Sequence, residues 1–290
     1  MAVVPKAVAR EPLARHSTFA IGGPADYFVE AETREQLEGL CRLCRDRRWP
    51  LFPIGQGSNL LVGDGGIRGV VVRLRGAFET ISFEADVLIA GAGVLLPVLA
   101  KECAKRGLAG AEFLAGVPGT IGGGLMTNAG TPEGDLGSLV RSVEAVNADG
   151  IWETILRDKI DFSYRRSNLA GRLVTGAVLQ LRAGNPRDIA ELVEKQKTRR
   201  AEKQPLGTYN CGSVFKNPPG DHAARLVEAA GLKGRRIGGA RISPKHANFI
   251  ENDNHAAAAD VKALIDLTRR TVKEKFGVDL ETEVWTVGED

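Results

Sequence analysis

The sequence predicts a mixed α and β protein of two or three domains, and three observations predict it. At 290 residues the chain exceeds one compact core of average size. Residues 24–72 read as strand, helix, strand, strand, the order of a small α/β unit. Farther on, Gly116-Val117-Pro118-Gly119-Thr120-Ile121-Gly122-Gly123-Gly124-Leu125-Met126-Thr127-Asn128-Ala129-Gly130 is rich in glycine yet uncharged. A solvated linker would carry Ser, Gln, Glu or Lys. Here the glycines alternate with apolar residues, which places the run in an interior. A buried glycine run brings main chain close to a ligand and turns its N–H groups toward phosphates or heteroatoms.

In chain order, residues 15–30 form a loop, a Gly22-Gly23-Pro24 turn and a short strand. Thr33 and Gln36 make a capping box for a helix over 34–47. On that helix Leu37, Leu40, Cys41 and Cys44 fall at i, i+3, i+4, i+7. The Cys41-x-x-Cys44 spacing therefore reads as core packing rather than a metal site, since no second pair has ligand spacing. Pro50–Ile54 is an apolar strand that runs into Gly55-Gln56-Gly57-Ser58-Asn59-Leu60-Leu61. That loop shares Gly-x-Gly with dinucleotide fingerprints but lacks the third glycine and the following helix. A strand-to-strand turn is its plain alternative, yet two glycine loops can close on one long ligand.

Strands follow at 70–72 and 86–90, then a helix over 95–106 that stops at Gly107. Residues 142–146 and 151–156 flank Asn147-Ala148-Asp149-Gly150 as a hairpin. Residues 173–181 form another strand. Gly184-Asn185-Pro186 breaks the chain before a charged amphipathic helix over 187–203, and the main domain boundary falls there. The last third adds a helix near 223–230, a strand at 246–250, a helix over 258–276 and a final strand over 280–287. On that strand Glu281 and Glu283 would share a face.

Composition excludes several classes. The net charge of +3 and the absence of a basic run interleaved with aromatics give no case for nucleic acid. No stretch reaches membrane-spanning length, and Met1-Ala2-Val3-Val4-Pro5-Lys6 lacks a signal peptide's apolar segment, so a cytosolic protein is expected. Candidate chemistry sits in loops. Tyr164-Arg165-Arg166-Ser167 lies between strands, where a surface turn is the alternative. Ser213 lacks the G-x-S-x-G spacing and a His–Asp partnership, which argues against a nucleophile and leaves open a donor of a proton or a hydrogen bond.

The stretches Ile21-Gly22-Gly23-Pro24-Ala25-Asp26, Gly55 to Leu61, Gly116 to Gly123, Asn128-Ala129-Gly130, Tyr164 to Ser167, Gly212-Ser213-Val214-Phe215-Lys216-Asn217-Pro218, Gly231-Leu232-Lys233-Gly234 and Leu280-Glu281-Thr282-Glu283-Val284 recur in order along almost the whole chain. Together they resemble the UDP-N-acetylenolpyruvoylglucosamine reductases, the MurB family of cell-wall precursor flavoenzymes. The resemblance implies an α+β chain with the FAD-binding (PCMH/vanillyl-alcohol-oxidase-like) fold. Two FAD-binding subdomains would span 1–75 and 76–184, and a C-terminal α+β substrate domain 185–290. FAD would lie against Gly55, Gly57, Ser58, Asn59, Leu60, Gly116, Pro118, Gly119, Thr120, Gly122, Gly123, Asn128 and Gly130. With no His or Cys in either loop, it would be held non-covalently.

NADPH would reduce the flavin, and the enolpyruvyl ether of UDP-N-acetylglucosamine would then become UDP-N-acetylmuramate. The resemblance makes Arg165 the active-site arginine, Ser213 the proton donor and Glu283 the active-site carboxylate. Lys203, Asn217, Lys233 and His246 would contact the nucleotide-sugar substrate, with His246 replacing a glutamine found in some members. Ser17 replaces a usual Asn, and Thr131-Pro132-Glu133-Gly134 replaces an Ala-aromatic-Gly turn. The chain matches the shorter subtype without an inserted substrate-capping subdomain, and is expected to be a monomer without metal. Two rival readings are a flavin oxidase or dehydrogenase of the same fold, and a non-catalytic nucleotide-binding module. Arg165, Ser213 and Glu283 occurring together argue against both.

Overall fold

A computed structural model describes residues 4–147 and 150–290. The expected turn residues Ala148 and Asp149 lie outside the described residues, as do Met1 to Val3. The chain divides into two compact units: one takes 4–8, 28–55 and 69–200, the other 9–27, 56–68 and 201–290.

The first unit holds a five-stranded antiparallel sheet in the order Trp152–Leu156, Val140–Val146, Leu173–Gln180, Val87–Gly91, Ile81–Glu84. The outer pair runs in register from Ser142↔Leu156 to Val146↔Trp152, as a hairpin requires. A smaller sheet pairs Leu51–Pro53 in parallel with Ile67–Leu74. Helix α1 (Arg34–Arg47) begins at Thr33, whose hydroxyl accepts from the Gln36 N–H, while the Gln36 amide oxygen accepts from the Glu32 N–H at 2.7 Å. Its stripe behaves as the spacing requires: Leu37, Leu40 and Cys44 are buried, and Cys41 packs against the same core. Burial raises both thiols, Cys41 to about 11, which leaves them unreactive packing groups. Helix α2 (Leu96–Lys105) buries Leu96, Leu99, Ala100 and Cys103.

The central glycine run departs from a simple loop. Ile121–Met126 is a helix, α3, with Thr120 as its N-cap. Glycine disfavours a helix by about 1 kcal/mol per residue relative to alanine, so close packing has to supply the compensation. Helix α4 (Pro186–Lys203) closes the unit, its last residues belonging to the second.

The second unit sets a four-stranded antiparallel sheet, ordered Tyr209–Asn210, Ile250–Asn252, Ala240–Ile242, Arg236–Ile237, with α5 (Ala223–Ala229) and α6 (Ala258–Phe276). Its core joins Phe19, Ile21 and Leu61 to apolar residues of 211–284. Two expected strands are corrected. His246 to Phe249 is a turn, closed by the Asn248 N–H on the His246 ring, and the strand starts only at Ile250. The final strand is Trp285–Val287 alone, parallel to Leu60–Val62. Residues 280–284 form instead an isolated β-bridge, Phe215↔Thr282. Glu281 and Glu283 therefore flank that bridge rather than sit on a continuous strand, and Glu281 is exposed while Glu283 is partly buried.

The start of α6 is capped from far away in sequence. The Asp64 carboxylate accepts from the Ala258 N–H at 2.8 Å and the Ala259 N–H at 3.1 Å. An anion there satisfies orphan donors and faces the positive end of the helix. Asp64→Ala is expected to lower stability by about 1 kcal/mol, read as a shifted midpoint in chemical denaturation, whereas an unchanged midpoint would show the cap to be idle.

Candidate functional site

In the first unit the glycine run builds a surface made of main chain. Gly122 N–H donates to Ala92 O at 2.9 Å and Ile121 N–H to Val94 O at 2.9 Å. A Cβ on Gly122 would meet the Ala92 Cβ at 3.1 Å, and one on Gly124 would meet Leu136 and Leu96 at 3.1 and 3.2 Å. Both glycines are buried, while Gly123 between them is exposed. A Cβ on Gly55 would lie 2.6 Å from the Thr120 hydroxyl, so this glycine and the α3 cap are in direct contact. Gly116, Val117 and Pro118 are half-buried and uncharged. Closely packed main chain and uncharged residues along one run suit a flat aromatic ring system bearing a diphosphate, as in FAD.

Asn128 is buried and takes a left-handed backbone (φ 43°). Its side chain accepts from Gly137 N–H at 2.8 Å and donates to Ser163 O at 3.2 Å, so it shapes the loop from within. Gly130 and Thr131 pair with Asp135 and Gly134 across a turn at Pro132-Glu133, and Glu133 forms an ion pair with Arg199. Tyr164 and Arg165 form the turn between Phe162–Ser163 and Arg166–Ser167, with Arg165 also left-handed (φ 56°). The Arg165 guanidinium donates to Gly130 O at 2.9 Å, and Ser167 Oγ donates to Met126 O at 3.0 Å. The structure thus brings Arg165 onto the glycine run rather than leaving it on a free surface turn.

The second unit gathers the other candidates. Gly57 is left-handed (φ 64°), and a Cβ there would meet His16 O at 2.3 Å. The Asn59 amide donates to Glu283 O at 3.0 Å, and Trp285 N–H returns to Asn59 O at 3.0 Å. Asn59 is therefore committed to the Glu283 segment. Leu60 opens the strand paired with Trp285–Val287, and Ser58 O lies 3.9 Å from where a Cβ on Gly212 would stand. Glu283 N–H donates to Val214 O at 2.8 Å, which sets Glu283 beside the residue after Ser213. Burial pushes the Cys211 thiol up to about 12, and the Glu283 charge adds to that shift. The Glu283 charge is thus felt at Cys211, two residues before Ser213.

Asn248 does what no motif signalled. Its Oδ1 accepts from Phe215 N–H at 2.9 Å, its Nδ2 donates to Phe215 O at 2.8 Å, and its carbonyl accepts from Val214 N–H at 2.9 Å. The one available signal is an amide inside the apolar Ala247-Asn248-Phe249-Ile250, since a buried amide must find partners. Lys216, three residues after Ser213, pairs with Glu281 at 2.5 Å. Asn217 Oδ1 accepts from Ala223 N–H at 3.0 Å at the start of α5. Lys233 pairs with Glu228 at 2.9 Å, and its charge reaches His246. Lys203 stands exposed at the end of α4. Among the described residues there is no cluster of three or more His, Cys, Asp or Glu that could hold a metal.

Comparison with known proteins gives a consistent picture. Residues 25–155 match the model of an FAD binding domain, and residues 204–287 match that of the UDP-N-acetylenolpyruvoylglucosamine reductase C-terminal domain. UDP-N-acetylenolpyruvoylglucosamine reductase of Moorella thermoacetica is 47% identical over 281 residues, covering 96% of this chain and 92% of that protein. UDP-N-acetylenolpyruvoylglucosamine reductase 2 of Symbiobacterium thermophilum is 45% identical over 276 residues, covering 94% and 90%. The crystal structure of UDP-N-acetylenolpyruvylglucosamine reductase (MurB) from Thermus caldophilus aligns with a TM-score of 0.85 at 37% identity, over 97% of this chain and 99% of that one.

His246 supplies a pH test. Burial holds its imidazole below the ordinary 6.5, with Lys233 pushing the same way and Glu228 opposing. Protonation would also remove the ring nitrogen that accepts from Asn248 N–H at 3.3 Å. With the folded value depressed, the unfolded chain holds the extra proton, so stability is full above 6.5 and is lost as pH falls through the folded value. Denaturation midpoints at about pH 7.5 and about pH 5.5 should differ less in His246→Gln than in the parent, and an identical pH difference in both would contradict the assignment.

Proposed function

The chain belongs to the UDP-N-acetylenolpyruvoylglucosamine reductase family, and from that premise we propose how its residues divide the work. It is a flavoprotein oxidoreductase of peptidoglycan precursor synthesis. It reduces the enolpyruvyl ether of UDP-N-acetylglucosamine to UDP-N-acetylmuramate, with FAD as cofactor and NADPH as reductant. FAD, when bound, would supply the hydride chemistry that links NADPH to the substrate. The proposal gives Gly55, Gly57, Ser58, Leu60 and the run from Gly116 through Gly130 to FAD, held without a covalent bond. Asn59 and Asn128 would act there by shaping the loops. The division at 75 and 184, a monomeric state and a cytoplasmic location belong to the same proposal. No described helix is long and apolar enough to cross a membrane.

Hydride addition to the β-carbon of an enolpyruvyl group leaves negative charge on the α-carbon and its carboxylate. Arg165 offers a planar fork for that carboxylate, steadied by its bond to Gly130 O. Ser213 delivers the proton to the α-carbon. A serine hydroxyl is a weak acid, so a cation has to make the alkoxide tolerable. Lys216 is partly neutralised by Glu281, which leaves Lys203 as the cation in this proposal. Glu283, whose N–H bonds to Val214 O, would orient the donor and help return its proton. Lys233 and His246, with Asn217, would take the nucleotide sugar, His246 binding in its neutral form. The observation that carries this reading is the shared anchorage of the two catalytic segments: Glu283 bonds to Val214 and, through Asn59, to the glycine loop.

Ser213→Ala separates the two halves of the reaction. NADPH should still reduce the flavin at near the parent rate, because that step needs no proton at the substrate carbon. Reoxidation by the enolpyruvyl nucleotide should fall by ~10²–10⁴-fold, with partial recovery in Ser213→Cys. Stopped-flow absorbance of the flavin decides it: normal reoxidation removes Ser213 from the mechanism, and blocked reduction shows it to be misplaced.

A further inference from the structure

Asn248 fixes the main chain just after Ser213, and a second set of bonds fixes the chain just before it. Thr18 donates its N–H to Gly57 O at 3.3 Å and its hydroxyl to Asn210 O at 2.7 Å. Asn210 answers with its own N–H on Thr18 O at 3.1 Å. The Asn210 side chain then accepts from Gly212 N–H at 3.0 Å and donates to Pro205 O and to Thr208. Gly212 is held left-handed (φ 79°), and its open side lies beside Ser58 O. Opposite, Gly57 presses so closely on His16 and Ser17 that no Cβ fits. The glycine loop, Thr18, Asn210 and Gly212 therefore form one hydrogen-bonded series that ends at Ser213.

We propose that Thr18, acting through Asn210, is a positioning residue for Ser213, setting the proton donor in register with the glycine loop at Gly57 and Ser58. The proposal rests on the role given to Ser213 above. The Thr18 hydroxyl is the weakest point of the series to lose, because the peptide bonds around it remain when it goes. A short O–H···O bond of this kind fixes position more than it adds stability, and misplacing a reacting group by about 1 Å can cost ~10²-fold in rate. A merely structural role would slow both half-reactions alike, whereas a positioning role slows only the step that uses Ser213.

The test uses the FAD-loaded enzyme carrying Thr18→Val, which keeps the shape without the donor, or Thr18→Ser, which keeps the donor. Each is made in the parent and in Ser213→Ala, and stopped-flow absorbance follows reduction by NADPH and reoxidation by the enolpyruvyl nucleotide. Thr18→Val is expected to reduce at the parent rate and to reoxidise about tenfold more slowly, part of the cost of misplacement. Thr18→Ser should restore most of that rate, and Thr18→Val should add nothing once Ser213 is Ala. Equal slowing of both half-reactions, or the same further loss in the Ser213→Ala background, overturns the proposal. Normal reoxidation of Ser213→Ala alone would remove the reading beneath it. Slow Ser213→Ala with normal Thr18→Val would overturn the proposal and leave that reading standing. If Thr18→Val fails to retain flavin, Asn210→Ala carries the same test: it frees Gly212 N–H while leaving the Thr18 bond, and should slow reoxidation alone.

Discussion

Main chain lying directly on main chain is the constraint on which the first unit's site depends. Gly122 and Gly124 let α3 sit against the end of the strand Val87–Gly91 and the start of α2, where any side chain would have to push its neighbours apart. The helix is short and built from poor helix formers. It persists because Thr120 caps it, because its N–H groups at 121 and 122 find carbonyls at 94 and 92, and because its apolar residues are buried. From there the order of contacts runs outward. Met126 O receives Ser167, Gly130 O receives Arg165, and Gly123 is left exposed. A larger residue at 122 or 124 would lift the helix, and with it the hairpin that carries Arg165.

Asparagines carry out the equivalent work in several places. Asn59, Asn128, Asn210 and Asn248 each tie two stretches of main chain. An amide can donate and accept at once and carries no charge, so it can be enclosed without the cost of a buried ion. A carboxylate in Asn248's place could accept from Phe215 N–H but would face Phe215 O with no proton to offer. These residues therefore fix the main chain around the candidate catalytic groups.

Much of this was legible in the sequence where the information is local. The period of α1 and the cap at Thr33 follow from neighbours a few residues apart, and that helix stands where the pattern puts it. The glycine runs announced close main-chain approach, and the family resemblance covered nearly the whole chain. What escaped depended on distant partners. The helix α3 runs against glycine's own propensity and exists through packing on Ala92, Leu96 and Leu136. The stretch 280–284 alternates like a strand but has only Phe215 and its neighbours to pair with, so a single bridge forms. Lys216 sits three residues from Ser213, yet its charge is taken by Glu281, 65 residues along the chain. Asn248 read as part of a strand and Thr18 as part of a loop, because the partners that define them come from other segments.

The central claim is that this chain passes electrons from NADPH, through FAD, to an enolpyruvyl nucleotide. An anaerobic titration of the purified protein tests it most directly. NADPH should bleach the flavin absorbance, and UDP-N-acetylenolpyruvoylglucosamine should restore it without oxygen, one flavin per substrate reduced, with UDP-N-acetylmuramate as product. A reduced flavin that returns only when air is admitted would make the chain an oxidase, and a protein that holds no flavin would contradict the account at its base.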